Sequence, residues 1–185
     1  VHRLVGALEL EGLVTAPAVG RVQLGIELAR LGIAARRGLR ESARPFLLRL
    51  HRELGETVDL SVLDGTAARF IDQIAAPHRL RAVSAIDERF PLHCTANGKA
   101  LLAAMPDRDV IAHLPARLPA LTRATIASRS TLLVELARVR SEGFAVDREE
   151  HTEGISAVGA AIFDSRGDVA AAISIPVPTQ RFAGN

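Results

Sequence analysis

The sequence predicts an α+β fold with a mainly antiparallel sheet flanked by helices, preceded by a helix, a short hairpin and a long helical segment. Three observations predict this fold. Residues 26–55 have helical periodicity, residues 57–74 and 155–177 contain β-rich runs joined by turn sequences, and two helical segments lie between those runs. Because the strands come in hairpin-forming pairs on either side of the helices, we expect a largely antiparallel sheet.

The first 25 residues read as a helix followed by a hairpin. Apolar residues recur at helical spacing, at Val1, Leu4, Val5 and Leu8. Gly12 follows where a helix cap is expected, and LVTAPAVGRVQLG predicts two short strands around Pro17 and Gly20. This order is typical of a winged helix-turn-helix from its recognition helix onward. The two preceding helices of that motif are absent from the sequence, so we expect a truncated unit that lacks its N-terminus.

The first part of the chain is also its basic part. Residues 1–54 carry nine arginines and five carboxylates, whereas residues 55–185 carry fourteen basic and sixteen acidic side chains. Such an asymmetry is typical of a nucleic-acid contact beside another module, and an arginine-rich, solvated helix face has the same composition. For the nucleic-acid interpretation, we expect the DNA contacts to come from His2, Arg3 and Arg21.

Residues 26–55 predict two helices separated near Gly38. Pro45 either opens the second helix at its first turn or kinks it. The first helix either links the N-terminal unit to the rest and pairs with its copy in a dimer, or is simply a surface helix. We therefore expect three parts, with boundaries at residues 1–25, 26–38 and 39–185.

The remaining residues alternate between strand and helix signals. Asp64-Gly65 and residues 164–167 predict the turns of two hairpins, and LRAVSAI, residues 80–86, predicts a further strand. NGKALLAAM and STLLVELARVRSEG predict two helices, the second of which ends at Gly143.

Composition is typical of a folded protein outside the membrane. Hydrophobic residues make up 48% of the chain and charged residues 24%, which excludes a disordered segment. Apolar runs such as residues 157–163 are too short to cross a bilayer, and no signal segment opens the chain. A single cysteine cannot form an internal disulfide. We expect a cytoplasmic protein without a membrane partner.

The segment FPLHCTANGKALLAAM, residues 90–105, contains the chain's only cysteine, lysine and methionine. It is not a phosphate-binding loop, because that loop needs a glycine where His93 stands and a hydroxyl residue where Ala100 stands. Asn97-Gly98 opens a helix, whose free N–H groups favour a carboxylate or another anion. We expect Lys99 to be a solvated surface residue pointing away from this site.

Catalysis and metal binding are the alternative chemistries of this segment. Adjacent residues in an extended segment project to opposite sides, so His93 does not serve Cys94 as its base, although Asp147 or His151 could. The same residues lack the short paired spacing typical of zinc sites. A cytoplasmic enzyme using Cys94 or a metal stays the alternative, while we expect no catalytic residue, no metal and no cofactor.

Two longer motifs resemble the IclR family of bacterial transcriptional regulators. They are FPLHCTANGKALLAAMP and GFAVDREEHTEGISAVGAAIFDSRGDVAAAISIPVPTQRF, residues 90–106 and 143–182. Residues 1–14 are similar to the family's recognition helix, residues 20–32 to its wing and linker helix, and residues 40–65 to the start of its effector-binding domain. Relative to the family pattern, the sequence lacks the first part of the winged helix and the final helix after Phe182.

The resemblance implies a DNA-binding regulator with a GAF-like domain that binds a small organic or aromatic acid. It also implies a homodimer or homotetramer, binding of operator DNA through a complete N-terminal head, and an effector that modulates DNA binding through the assembly. Ala157 departs from relatives that have a polar or thiol side chain there. The effector-binding residues carried over by position are Cys94, Thr95, Ala96, Asn97, Gly98, Asp147, Ala157 and Ser174.

Overall fold

The computed structural model describes residues 2–17 and 21–182. The chain divides into two compact units, Val1–Ala43 and Arg44–Asn185. Each unit is described by itself below.

The N-terminal unit contains the helix and hairpin predicted for it. Helix α1 spans His2–Leu10, and Gly12 follows it with a φ of 67°, a left-handed conformation that favours glycine. Strands β1 (Val14–Thr15) and β2 (Gln23–Leu24) pair antiparallel. Val1 and the hairpin turn at residues 18–20 lie outside the described residues. None of the described α1 residues is buried, and Leu4 and Leu8 of its apolar stripe are exposed.

Helix α2 spans Ile26–Leu54 without interruption, so the predicted break near Gly38 is wrong. One glycine costs a helix about 1 kcal/mol, which neighbouring alanine, arginine and leucine residues offset. Pro45 lies inside the helix rather than at its start. Beside it, Arg44 anchors this half of α2 through two hydrogen bonds from Nη1 to the Asp72 carboxylate, at 2.6 and 2.8 Å. The boundary between the two units along the chain, after Ala43, falls within α2.

The second unit is built on a six-stranded sheet in the order β5-β4-β3-β8-β7-β6, in which every neighbouring pair is antiparallel. This confirms the predicted α+β class with its mainly antiparallel sheet. The strands are β3 (Val58–Asp64), β4 (Ala67–Ile74), β5 (Arg89–Pro91), β6 (Ala145–Arg148), β7 (Ile155–Phe163) and β8 (Val169–Pro178).

Both predicted hairpins are confirmed, with Gly65 and Gly167 at positive φ in their turns. The predicted strand at residues 80–86 is wrong, because this segment pairs with no described strand. Side chains hold it instead: Thr57 Oγ1 donates to Ala82 O, and Ser84 Oγ donates to Asp59 Oδ2. Burial alternates along this segment as it would in a strand, because Ala82 and Ser84 are buried while their neighbours are exposed.

Two longer helices pack against the sheet. Helix α3 (Ala96–Ala103) is buried along its whole length, and α5 (Arg129–Glu142) contributes Leu132, Leu136 and Val139 to the core. As predicted, α5 ends at Gly143, which is left-handed with a φ of 82°. Short helices α4 (Asp107–Val110) and α6 (Thr179–Phe182), with a 3-10 turn at Ile111–His113, complete the unit.

The start of α3 lies directly on the sheet because of Gly159 in β7. A Cβ atom at Gly159 would stand 2.8 Å from the carbonyl carbon of Ala96 and 2.9 Å from the amide nitrogen of Asn97. Only glycine permits this approach. The helix start is thereby held above the middle of the sheet.

Candidate functional site

A cavity of about 290 Å³ lies in the second unit, between the sheet, the start of α3 and the segment at residues 81–84. Its volume is suited to a small organic molecule rather than to a polymer. The residues that line it are Asp59, Phe70, Arg81, Ala82, Val83, Ser84, Phe90, Thr95, Ala96, Asn97, Asp147, His151, Thr152, Ile155, Ala157, Ser174 and Pro176.

All six strands contribute residues to the sheet side of the cavity. Asp59 in β3 pairs with Ser174 in β8, and Asp147 in β6 pairs with Ala157 in β7. Because neighbouring strands lie about 4.8 Å apart, the backbones of β3 and β6 are separated by roughly 14 Å. Small side chains at Ala157 and Ser174 leave the space between the two carboxyl groups open.

Thr95 organises the start of α3. Its Oγ1 caps the helix by accepting a hydrogen bond from Gly98 N at 3.2 Å, and it donates to Pro91 O at 2.8 Å. The Asn97 side chain is also engaged, donating from Nδ2 to Ser61 Oγ at 2.9 Å. Since the Gly98 N–H is used by the cap, the backbone N–H groups of Ala96 and Asn97 are the ones in the first turn that suit a ligand.

The two carboxyl groups of the cavity bind protons more tightly than usual. Burial raises the pKa of Asp147 to about 7, against the hydrogen bond that its Oδ1 accepts from Glu150 N at 2.7 Å. Burial likewise raises the pKa of Asp59 to about 6, although Gln73 Nε2 and Ser84 Oγ donate to its carboxylate. Near neutral pH, Asp147 is therefore able both to donate and to accept hydrogen bonds.

Aromatic side chains and an arginine complete the cavity. Phe90 stacks on His151 with ring centroids 4.3 Å apart, and Phe70 meets Phe90 edge to face at 4.8 Å. Burial lowers the pKa of His151, which favours its neutral form. Arg81, an exposed residue whose Nη1 donates to His78 O, brings a positive charge to the lining.

The sequence reasoning missed several of these lining residues. Arg81 and Ser84 fell in the segment interpreted as a strand. Asp59 carried a signal, a charged residue inside the apolar run of β3, but its contribution to the cavity depends on strand order.

Six of the eight positions expected to bind an effector line this cavity: Thr95, Ala96, Asn97, Asp147, Ala157 and Ser174. Cys94 and Gly98 are buried behind it. Gly98 has a structural reason to be glycine, because a Cβ there would stand 2.5 Å from Leu92 O and from Thr95 Oγ1. The expected DNA-contacting residues His2, Arg3 and Arg21 are exposed in the N-terminal unit.

The expectation that Lys99 is a solvated surface residue is wrong. Its side chain is fully buried, and its ammonium group donates to Glu150 Oε1, Val146 O and Glu135 Oε1. A buried ammonium needs such partners, and these come from two distant parts of the chain, α5 and the segment at residues 146–150. Lys99 nevertheless points away from the cavity, since it does not line it.

Cys94 has the opposite of the properties that a nucleophile needs. Burial, with Asp147 and Glu150 nearby, raises the pKa of its thiol to about 12. Among residues 2–17 and 21–182, no group of three side chains is placed to hold a metal ion. Over the same residues, no helix is long and apolar enough to cross a membrane.

A cavity of small-molecule size in the α+β unit, and a separate unit with a helix and a hairpin, are typical of a transcriptional regulator with an effector-binding domain. Residues 32–185 match the family model described as bacterial transcriptional regulator IclR C-terminal. The chain belongs to the IclR family of transcriptional regulators, whose members bind operator DNA and small-molecule effectors and form oligomers.

Similar proteins agree with this membership. The chain is 52% identical to the HTH-type transcriptional regulator Rv1719 of Mycobacterium tuberculosis, over 100% of the chain and 71% of that protein. It is 33% identical to the HTH-type transcriptional regulator XynR of Escherichia coli K12, over 98% of the chain and 73% of XynR. The relatives are named as regulators, and this protein is accordingly not an enzyme.

Solved structures show the same fold. The crystal structure of the Thermotoga maritima IclR protein matches with a TM-score of 0.76 and 32% identity, over 98% of this chain and 74% of that one. A double mutant of the PobR inducer-binding domain from Acinetobacter, in complex with 3-hydroxybenzoic acid, matches with a TM-score of 0.69 and 27% identity. That match covers 76% of this chain and 83% of the PobR chain.

Proposed function

We propose that this regulator senses a small organic acid, with an aromatic acid as the best-fitting class, in the cavity beneath α3. The observation that carries the proposal is the convergence of a helix start, an arginine, two protonatable carboxyl groups and an aromatic wall on one cavity. The eight residues expected from the family pattern are proposed as its effector site, with Cys94 and Gly98 acting from behind the lining.

The acid group of the effector is assigned to the start of α3. The N–H groups of Ala96 and Asn97 and the positive end of the helix favour a carboxylate, and Arg81 adds a charge partner at the same cavity. The helix has eight residues, and Arg81 provides an attraction that is independent of the helix. Together they offset the cost of transferring an anion from water.

The opposite side of the cavity is assigned to a hydroxyl group or another polar group of the effector. Asp147 accepts a hydrogen bond from the ligand when ionised and donates one when protonated. Phe70 and Phe90 provide an apolar surface for a ring. The PobR domain complex with 3-hydroxybenzoic acid supports this class of ligand by analogy, because that ligand carries a carboxylate and a hydroxyl group on one ring.

The effect on DNA is proposed to pass through the assembly. We assign operator contacts to His2, Arg3 and Arg21, which are exposed, and dimer contacts to residues 26–38 of α2, which carry exposed Leu31 and Ile33. An effector that stabilises one dimer or tetramer arrangement over another changes the spacing of the DNA-binding heads. A regulator of operator DNA works in the cytoplasm, which is the compartment we propose.

Thermal unfolding with matched ligands tests the effector class. A ligand that binds only the native state raises its stability, so 3-hydroxybenzoate should raise the melting temperature. Benzoate, which lacks the hydroxyl group, should raise it less, and 3-hydroxybenzyl alcohol, which lacks the carboxylate, should leave it unchanged. Aliphatic hydroxy acids complete the panel.

The variant Arg81→Gln gives this test a matched control. It should reduce the shift caused by 3-hydroxybenzoate, whereas Arg79→Gln, which changes an exposed arginine that does not line the cavity, should not. If no acid in the panel shifts the melting temperature, or the alcohol acts as strongly as the acid, the proposed effector class is wrong.

A further inference from the structure

Lys99, the chain's only lysine, occupies a fully buried position in α3 behind the effector cavity. Its Nζ lies 2.5 Å from Glu150 Oε1, 2.5 Å from Val146 O and 3.2 Å from Glu135 Oε1. An ammonium group has three donors, and three acceptors are present. Taking this charge out of water costs free energy unless each N–H donor has an acceptor. The three acceptors are therefore held in place around the ammonium group.

Two of the three acceptors flank Asp147 along the chain. Val146 precedes it, and Glu150 ends the turn that follows, in which Glu149 has a positive φ of 60°. The Glu150 N–H then returns to Asp147 Oδ1 at 2.7 Å. Lys99 therefore holds the segment at residues 146–150 on both sides of the carboxyl group that lines the cavity.

The same ammonium group connects this segment to the helices. Lys99 belongs to α3, whose first residues Ala96 and Asn97 line the cavity, and Glu135 belongs to α5. Glu135 is shared, because Arg138 on the solvent side of α5 donates to both of its oxygens. The Lys99 ammonium group thus links the start of α3, where the acid group is proposed to bind, to the segment that contains Asp147. It does so from outside the cavity, because Lys99 does not line it.

We infer that Lys99 is a positioning residue of the effector site, holding the segment at residues 146–150 against α3 from behind the cavity. The inference rests on the proposed function, because it takes the cavity to be the effector site. It predicts that loss of the ammonium group changes the placement and protonation of Asp147 although the cavity lining is untouched. A residue that only stabilised the fold would not change Asp147 selectively.

The variant Lys99→Met removes the charge while keeping an unbranched side chain. Arg138→Met is the matched control, because it loses the hydrogen bonds to the same Glu135, while the described hydrogen bonds and ion pairs of Arg138 go to Glu135 and Glu142 and not to residues 146–150. Two ligand-free measurements report on positioning: NMR titration of the Asp147 carboxyl carbon and amide hydrogen exchange at Glu150. Affinity for 3-hydroxybenzoate, measured by calorimetry, is the third readout.

In Lys99→Met, the pKa of Asp147 should rise, because the nearby ammonium charge lowers it in the native protein. Exchange of the Glu150 amide should become about tenfold faster, and affinity for 3-hydroxybenzoate should fall about tenfold. Arg138→Met should keep the native values of all three. If the wild type binds no acid, the proposed function fails, and the two ligand-free measurements still decide the role of Lys99.

The double variant Lys99→Met/Glu150→Met covers the case in which the single variant does not fold, because replacing a buried ion pair by apolar residues is often tolerated. The folded double variant should show the same increase in the exchange rate at the amide of residue 150, relative to the native protein. Native exchange at that amide in a folded variant, together with a native Asp147 titration in folded Lys99→Met, would overturn the inference, whereas the double variant is assessed by amide exchange alone because it removes two charges with opposite effects on the Asp147 pKa.

Discussion

At the scale of single residues, the cavity combines two carboxyl groups of raised pKa with groups that attract an anion. The raised pKa of Asp147 and of Asp59 has burial as its main cause, and Arg81 and the start of α3 face the same space. A protonated carboxyl group does not repel a carboxylate ligand, so burial makes the site compatible with an acid. Two consequences of this residue-level arrangement are measurable.

The first concerns pH. The native state binds a proton at Asp147 more tightly than the unfolded chain does, so stability should fall as pH rises from the ordinary value of 3.8 to about 7. Asp147→Asn should remove this part of the slope, and Asp59→Asn should remove a similar part between 3.8 and about 6. Urea unfolding at a series of pH values measures how the free energy of unfolding changes with pH.

The pH experiment needs internal controls because other groups titrate nearby. His151 contributes the opposite slope, since burial lowers its pKa, and Glu150 and Lys99 also lie close to Asp147. The slope is therefore compared between variants rather than interpreted alone. Asp164→Asn, in an exposed turn, should keep the falling slope, and an unchanged slope in Asp147→Asn would contradict the assignment.

The second consequence concerns Gly98. Even Gly98→Ala places a Cβ 2.5 Å from two oxygen atoms, so it should destabilise the fold by about 1–3 kcal/mol, and Gly98→Val by more. Gly38→Ala is the matched control: Gly38 lies inside α2 with nothing within 4 Å of the added Cβ, and the change should stabilise the protein by about 0.5–1 kcal/mol. Equal stabilities of the two alanine variants would show that the loop before α3 adapts.

At the scale of elements, the long helix α2 belongs to both compact units. Its second half is anchored by Leu47, which is buried, and by Arg44. Its first half carries exposed apolar side chains, among them Ile26, Leu31 and Ile33, at 74%, 56% and 67% exposure. Ile26 and Ile33 are seven residues apart and share one face of the helix, and an exposed apolar face of this kind is what a partner helix would cover.

Removing residues 1–38 should therefore weaken dimerisation and leave the second unit folded, since its core lies beyond residue 43. Sedimentation velocity measures the association, and circular dichroism checks the fold. Ile33→Glu should weaken association in the same direction, while Arg52→Glu, on an exposed residue of the same helix outside residues 26–38, serves as a charge control. Unchanged association after the deletion would place the dimer contacts elsewhere.

At the scale of the whole molecule, the affinity for DNA should depend on how well α1 is supported. Leu4 and Leu8 are exposed, and none of the described α1 residues is buried, so the helix has little packing to hold it in one orientation. Phosphate contacts by arginines remain available without such support. Nonspecific binding of this kind depends strongly on salt.

Residues 1–185 alone should accordingly bind operator-length duplexes weakly, with an affinity that falls steeply between about 50 and 200 mM salt. Fluorescence anisotropy with related and scrambled duplexes measures both affinity and selectivity. Arg3→Ala and Arg21→Ala should each reduce the salt slope, whereas Arg166→Ala, in a turn of the second unit, should not. Tight, sequence-selective binding would show that α1 is adequately supported.

The sequence by itself determined the features that depend on neighbouring residues. The turns at Gly65 and Gly167 and the helix end at Gly143 were predictable because turn and cap geometry is set within a few residues. The family pattern also located six residues that line the cavity. Local signals failed where side chains replaced backbone pairing, as in the segment at residues 80–86.

Only the tertiary structure decided the environment of Lys99, because its partners lie 36, 47 and 51 residues further along the chain. The same holds for Asp59 and Asp147, which belong to one cavity because β8 and β7 lie between their strands. Burial and charge pairing depend on which strands and helices become neighbours. No local pattern contains that information, so the raised pKa of Asp147 and the buried position of the only lysine follow from the fold alone.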